Sequence, residues 1–216
     1  LSRPGRDMNA PVVVGQVLLI IAVPFVLILK EPDLGTASIL IPLAFFMMYA
    51  AGVPVRTLLI LIGIGILLMP LGWFDLGDYQ KERILVFLDP GRDPLGAGWN
   101  NLQSEIAVGS GGIWGKGYLK GTQNLLGFLP RTVAPTDFIY SVIAEEMGFA
   151  GSILLLALYA TLLTAGVRAA LVARDKMGRM LAVGVTGSLF CHVTVNIAMT
   201  IGLLPITGLP LPLISY

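Results

Sequence analysis

The stretch Val55-Arg56-Thr57-Leu58-Leu59-Ile60-Leu61-Ile62-Gly63-Ile64-Gly65-Ile66-Leu67-Leu68-Met69-Pro70-Leu71-Gly72-Trp73 decides the fold. A helix needs about 20 mainly apolar residues to cross the hydrocarbon core of a bilayer. After Arg56 this run carries no charge at all. Four other runs share its character, at residues 12–29, 34–51, 139–167 and 180–204, and a sixth begins near Leu209. Pro24, Pro42 and Pro70 lie inside or beside these runs. Membrane helices tolerate them, because neighbouring groups can satisfy the freed carbonyls. The expected fold is all-α: a polytopic transmembrane helical bundle, one membrane domain over 1–216. It would hold five full spans, the start of a sixth, and a long loop with interfacial helices.

Composition agrees with that reading. Hydrophobic residues make up 56% of the chain and charged residues 12%, with a mean hydropathy of +0.84. Soluble domains carry about 25% charged residues, so lipid must replace water around much of the surface. The net charge of +1 says nothing about nucleic acid, and no basic run suggests phosphate-backbone binding, so no nucleic-acid partner is expected. Cys191 and His192 stand alone of their kinds, which rules out an internal disulfide and a Cys- or His-rich metal cluster within the chain. The chain opens on Leu1-Ser2-Arg3-Pro4-Gly5-Arg6, a polar linker rather than a signal peptide, and stops at Ile214-Ser215-Tyr216 as an apolar segment begins. It reads as an internal piece of a larger membrane protein.

The short loops set an orientation. Arg3 and Arg6 precede the first run, Arg56 lies between the second and third, and Arg168, Arg174, Lys176 and Arg179 lie between the fourth and fifth. Alternating spans put all of these on one side, which the positive-inside rule makes the cytoplasm. The loop 74–138 then faces outward. Within it, Ile84, Leu85, Phe87 and Leu88, and further on Leu102, Ile106 and Ile113, recur at helical spacing, as in short helices lying in the interface. Glycine is dense from Gly109 to Gly121. This is not a P-loop, since it lacks the Gly-Lys-Ser/Thr ending, but it allows tight turns and close backbone approach to a ligand.

Chemistry on the outer face must come from carboxylates, lysines and arginines. Asp137, just before the fourth run, has two readings: an acid that caps its helix, or a general base facing an outer cavity. It lies eight residues from Glu145, roughly 12 Å along a helix. The paired carboxylates of a glycosidase stand ~5–9.5 Å apart. A lone base without an acid partner suits a transfer whose leaving group is already good, such as a pyrophosphate. Asp33 sits in a helix-cap pattern before Leu34-Gly35-Thr36-Ala37. Glu145 and Glu146 fall inside the fourth run, where a buried pair or an interhelical hydrogen bond is the commoner role. Lys116, Lys120 and Arg131 are either phosphate ligands or solvated loop charges. His192 and Asn196 lie on the fifth run, as packing groups or as part of a polar pathway.

The ordered words of the chain go further. Pro32-Asp33-Leu34-Gly35-Thr36-Ala37, Asp93-Pro94-Leu95-Gly96-Ala97-Gly98, Gln103-Ser104, Gly109-Ser110-Gly111-Gly112, Gly115-Lys116-Gly117, Gly121-Thr122-Gln123, Phe128-Leu129-Pro130, Thr136-Asp137-Phe138-Ile139, Glu145-Glu146-Met147-Gly148, Thr207-Gly208-Leu209-Pro210-Leu211-Pro212 and Ser215-Tyr216 occur in this order. Together they closely resemble the SEDS family (shape, elongation, division and sporulation), and its rod-shape branch more than its division branch. The resemblance implies ten transmembrane helices, of which this chain would hold the fifth to the ninth. It implies a peptidoglycan glycosyltransferase of the bacterial cytoplasmic membrane that polymerises lipid II beside a class B penicillin-binding protein.

The family's essential loop aspartate matches Asp137, and the acid of its Pro-Asp-Leu-Gly-Thr-Ala word matches Asp33. Asp33, Gln103, Lys116, Lys120, Arg131 and Glu145 are then expected to contact substrate. A divalent cation is a further expectation for the pyrophosphate. The chain departs from the family where Arg131 follows Phe-Leu-Pro and Pro135 precedes Thr-Asp-Phe, in a slightly longer connection. The competing classes are a lipid II flippase or transporter, and a non-catalytic scaffold that activates the penicillin-binding protein.

Overall fold

The computed structural model describes residues 11–31, 33–129 and 134–215, all helix and connections, with no β-strand among them. In chain order the helices are α1 (Pro11–Lys30), α2 (Leu34–Ala51), α3 (Val55–Asp75), α4 (Asp78–Leu88), α5 (Ala97–Ser110), α6 (Thr122–Leu125), α7 (Ile139–Val172) and α8 (Lys176–Thr200), with a 3-10 turn at Pro90–Arg92. Helices α3, α7 and α8 are long and apolar enough to cross a membrane. Helices α1 and α2 are apolar and run 20 and 18 residues. On α3, Leu67 and Met69 are 76% and 74% exposed. Burying such a side chain away from water is worth about 1.5–3 kcal/mol, so a stripe of them implies lipid as the solvent. The protein is a polytopic membrane helical bundle.

The chain forms two compact units, Leu1–Lys81 with Leu163–Cys191, and Glu82–Leu162 with His192–Tyr216. In the first, Val14, Met48, Val53 and Leu58 are buried together, flanked by Val17, Phe45 and Leu61. Helix α2 is closed at both ends. Asp33 caps it by accepting the Thr36 N–H at 3.0 Å and the Thr36 hydroxyl at 2.6 Å, and Gly52 ends it in the left-handed conformation. Small residues mark the helix contacts: a Cβ on Gly166 of α7 would lie 2.2 Å from Thr186 Oγ1 of α8. An apolar cleft of about 590 Å³ opens here, lined among others by Phe46, Tyr49, Val167, Val183 and Phe190, with Arg179 as its charged member.

The second unit holds the long connection between α3 and α7 from Glu82 onward. Ala107, Leu129, Ala134 and Phe138 form its apolar centre, against Val142 and Ile206. The inner face of α5 is small and polar: Gly98, Asn101, Gln103, Ser104 and Ala107 are buried. Leu102 and Ile106, which share helical spacing, point outward instead, at 49% and 41% exposure. Ser104 ties the helices together. Its hydroxyl donates to the Thr200 carbonyl at 2.7 Å and lies 2.6 Å from the Ser141 hydroxyl. A hydroxyl has one proton, so Ser141 is the donor in that second bond.

Helix α7 is bent rather than straight. Gly148 breaks it with φ +66°, ψ −164°, and the glycine-rich connection docks on the break. The N–H groups of Lys116 and Gly117 donate to the carbonyls of Glu145 and Glu146, at 3.0 and 2.9 Å. In return, the N–H groups of Phe149 and Ala150 donate to the carbonyls of Gly112 and Ile113, at 2.8 and 3.0 Å. Every peptide group freed by the kink thus named has a partner, as burial demands. A Cβ on Gly115 would lie 2.1 Å from the Glu146 oxygen, and one on Gly148 2.3 Å from the Gly115 nitrogen. The close backbone approach expected of this stretch is made to α7 itself.

Candidate active site

Asp137 lies in the turn just before α7, partly exposed. Its backbone is held on several sides. The Asn196 amide donates to the Asp137 carbonyl at 2.9 Å, and the Ser215 hydroxyl donates to the preceding Thr136 carbonyl at 2.7 Å. Phe138, its other neighbour, is buried in the apolar centre at 1% exposure. The carboxylate itself takes a hydrogen bond from the Thr136 side chain. Asp33 caps a helix with its carboxylate; that of Asp137 lies beside Gly208, where an added Cβ would sit 3.7 Å from Oδ2.

The electrostatics suit a base. Partial burial raises the Asp137 pKa above the ordinary carboxylate value of 3.8, and the Thr136 hydrogen bond and the Arg83 charge only partly offset this. Arg83 is positioned by α4, with a guanidinium N–H donating to the Ile206 carbonyl at 3.2 Å. Sequence reasoning missed it among the charges of the long loop. The signal available was its place in Ile84-Leu85-Phe87-Leu88 periodicity, which fixes its helix but not the partner more than a hundred residues along.

The other expected residues divide. Lys116 pairs with Glu145 at 2.7 Å and also donates to the Thr122 hydroxyl at 2.7 Å. Glu145 has no exposure, and accepts further from Thr122 at 2.9 Å and from the Gln123 N–H at 3.2 Å. A buried carboxylate needs such partners, and it has no surface left for a substrate. Glu145 is therefore corrected from a substrate contact to a structural anchor, the buried-pair role its position in the run had also offered. Gln103 is likewise in the interior, at 6% exposure. Lys120 is exposed. Arg131 falls outside the described residues, and Asp33 belongs to the other compact unit.

Among the described residues no three His, Cys, Asp or Glu side chains gather where they could hold a metal ion. The donor set around Asp137, one carboxylate with a guanidinium nearby, does not build a cation cage. The apolar cleft of the first unit carries no carboxylate or histidine among its lining residues, and its ionisable side chains are Tyr49 and Arg179.

The family model for FtsW, RodA and SpoVE, described as cell cycle protein, matches residues 5–216. The peptidoglycan glycosyltransferase MrdB of Escherichia coli K12 is 44% identical over 98% of this chain and 57% of its own length. The peptidoglycan glycosyltransferase RodA of Treponema pallidum is 32% identical over 92% of this chain and 62% of its own length. A chain solved in a study of polymerization and crosslinking by a peptidoglycan synthase complex superposes with a TM-score of 0.78 at 34% identity, covering 98% of this chain and 58% of that one. A mutant of the rod shape determining protein RodA of Thermus thermophilus gives 0.62 at 28% identity, covering 98% and 53%. The chain thus spans about 57% of the length of the E. coli relative. On the family model and these relatives, the chain is an integral membrane protein of the FtsW/RodA/SpoVE cell cycle protein family, the SEDS family.

Proposed function

We propose that the full-length protein containing this chain is a peptidoglycan glycosyltransferase that polymerises lipid II during cell-wall elongation. The observation that carries this reading is Asp137: a partly exposed carboxylate, raised in pKa, with backbone clamps behind it and an uncrowded glycine beside it. The relatives' names supply the substrate class. In this reading Asp137 accepts the proton of the GlcNAc 4-hydroxyl of an acceptor lipid II. The freed oxygen forms a bond to the anomeric carbon of the donor MurNAc, with inversion. The bond from that carbon to undecaprenyl pyrophosphate breaks, and the pyrophosphate leaves with the electron pair.

Arg83, beside Asp137, is the described cation best placed to meet developing negative charge. Lys120 and Arg131 are further candidates for the pyrophosphate, while Lys116 is taken by Glu145. A divalent cation, if used, would arrive as the counter-ion of the pyrophosphate. The membrane would be the bacterial cytoplasmic membrane, with the connection 74–138 outside, as the Arg and Lys pattern of the short loops argues. The partners would be lipid II, the growing strand and a class B penicillin-binding protein, in line with the synthase complex of the structural relative.

The test is a polymerisation assay with the full-length protein, its penicillin-binding partner and labelled lipid II. Glycan ladders with release of undecaprenyl pyrophosphate are expected. Transbilayer movement of lipid II without polymer would instead make the protein a flippase. Polymer made only by an added glycosyltransferase would make it a scaffold.

A further inference from the structure

Asn196 has no solvent exposure, and its amide joins two separate segments. One Nδ2–H donates to the Asp137 carbonyl at 2.9 Å and the other to the Leu209 carbonyl at 2.7 Å. Both of its donors are therefore committed. Ser215 repeats the pattern one peptide away: its hydroxyl accepts the Leu211 N–H at 2.7 Å and donates to the Thr136 carbonyl at 2.7 Å. Two consecutive carbonyls, at 136 and 137, are thus each gripped by a side chain that also fixes the segment 207–215. Gly208 directly precedes the gripped Leu209, with φ +73°, and a Cβ there would lie 3.7 Å from Asp137 Oδ2.

We infer that Asn196 is the positioning residue of Asp137, and that with Ser215 it holds the Thr207–Ser215 segment as the wall past which the acceptor hydroxyl reaches the carboxylate. The inference rests on the reading of Asp137 as the base. A general base must meet the proton at about 2.6–3.2 Å, and an error of 1 Å in such a geometry costs on the order of 10²-fold. Two N–H donors between two carbonyls fix Cα of Asp137 relative to Gly208. Neither grip touches the reacting atoms, so the effect should fall on turnover rather than on substrate capture.

The experiment uses the full-length protein with its partner, and measures kcat and KM for lipid II polymerisation in Asn196→Ala and Ser215→Ala. Asn196→Ala is expected to lower kcat roughly 10²-fold with KM within about twofold. Ser215→Ala, which removes one of two grips from a partly exposed site, is expected to lower kcat about tenfold with the same split. Thermal unfolding of each purified complex identifies a variant that has not folded, and if Asn196→Ala is lost this way Ser215→Ala decides. Wild-type kcat in a folded variant, or a loss confined to KM, overturns the inference. Asp137→Asn runs beside them: full turnover there removes the base itself, whereas an inactive Asp137→Asn with a fully active Asn196→Ala removes only the positioning role.

Discussion

Asp137 carries two opposed requirements. In its proposed role as base it must be ionised, yet partial burial favours its neutral form. A carboxyl whose folded pKa is raised contributes stability that is full below its unfolded value and is lost as pH rises through the folded pKa. Asparagine stays neutral throughout. Asp137→Asn should therefore melt higher than wild type near neutral pH, and the gap should close on acidification, as thermal unfolding across pH would show. Arg83 lowers the same pKa, so Arg83→Met should move the acid limb of the pH–rate profile to higher pH. A limb that stays in place would mean that the Arg83 field does not reach the base.

At this scale the sequence was legible where a motif word coincides with a local pattern. Asp33 caps α2 as its position before Leu34-Gly35-Thr36 suggested. Arg83 and Asn196 were not legible as partners of Asp137, because their contacts cross long separations that no local period encodes.

At the scale of elements, the kink of α7 is the feature on which the glycine-rich connection is built. Four backbone hydrogen bonds and the Lys116–Glu145 pair join them. Lys116→Met would leave the buried Glu145 carboxylate without its cation, and the loss of one member of a buried pair typically costs about 3–5 kcal/mol. Glu145 keeps its Thr122 and Gln123 donors, so the low end is expected, read from thermal or denaturant unfolding of the purified complex. Adding Glu145→Gln to Lys116→Met should recover part of that stability. Gly148→Ala meets both a positive φ and a contact of 2.3 Å with the Gly115 nitrogen, and should abolish the kink's docking. Limited proteolysis of the 109–121 connection would reveal it as faster cleavage than in wild type.

The glycine cluster and the acid pair were visible in the sequence, but their relation was not. The glycines pointed to tight turns and close backbone approach to a ligand, and only the fold shows that they and Lys116 serve α7. The inward face of α5 was obscured for a different reason: in a membrane protein the apolar residues of an interfacial helix can face out, and the small polar ones in.

For the whole molecule, apolar run length was the strongest signal. The helices α1, α2, α3, α7 and α8 occupy the five runs to within a few residues, because lipid imposes a minimum length that a single sequence displays openly. The division into two compact units was not visible, since α7 and α8 each contribute to both and no linker marks the change. The catalytic reading drew on the ordered words around Asp137, with the geometry adding its clamps, its neighbour Arg83 and the space at Gly208.

The most direct test compares lipid II polymerisation by the full-length protein and its partner with and without Asp137→Asn, in complexes shown to be folded. A fall of at least about 10²-fold in turnover, with lipid II still bound, is the predicted result for loss of a general base. Polymerisation at the wild-type rate in Asp137→Asn would contradict it.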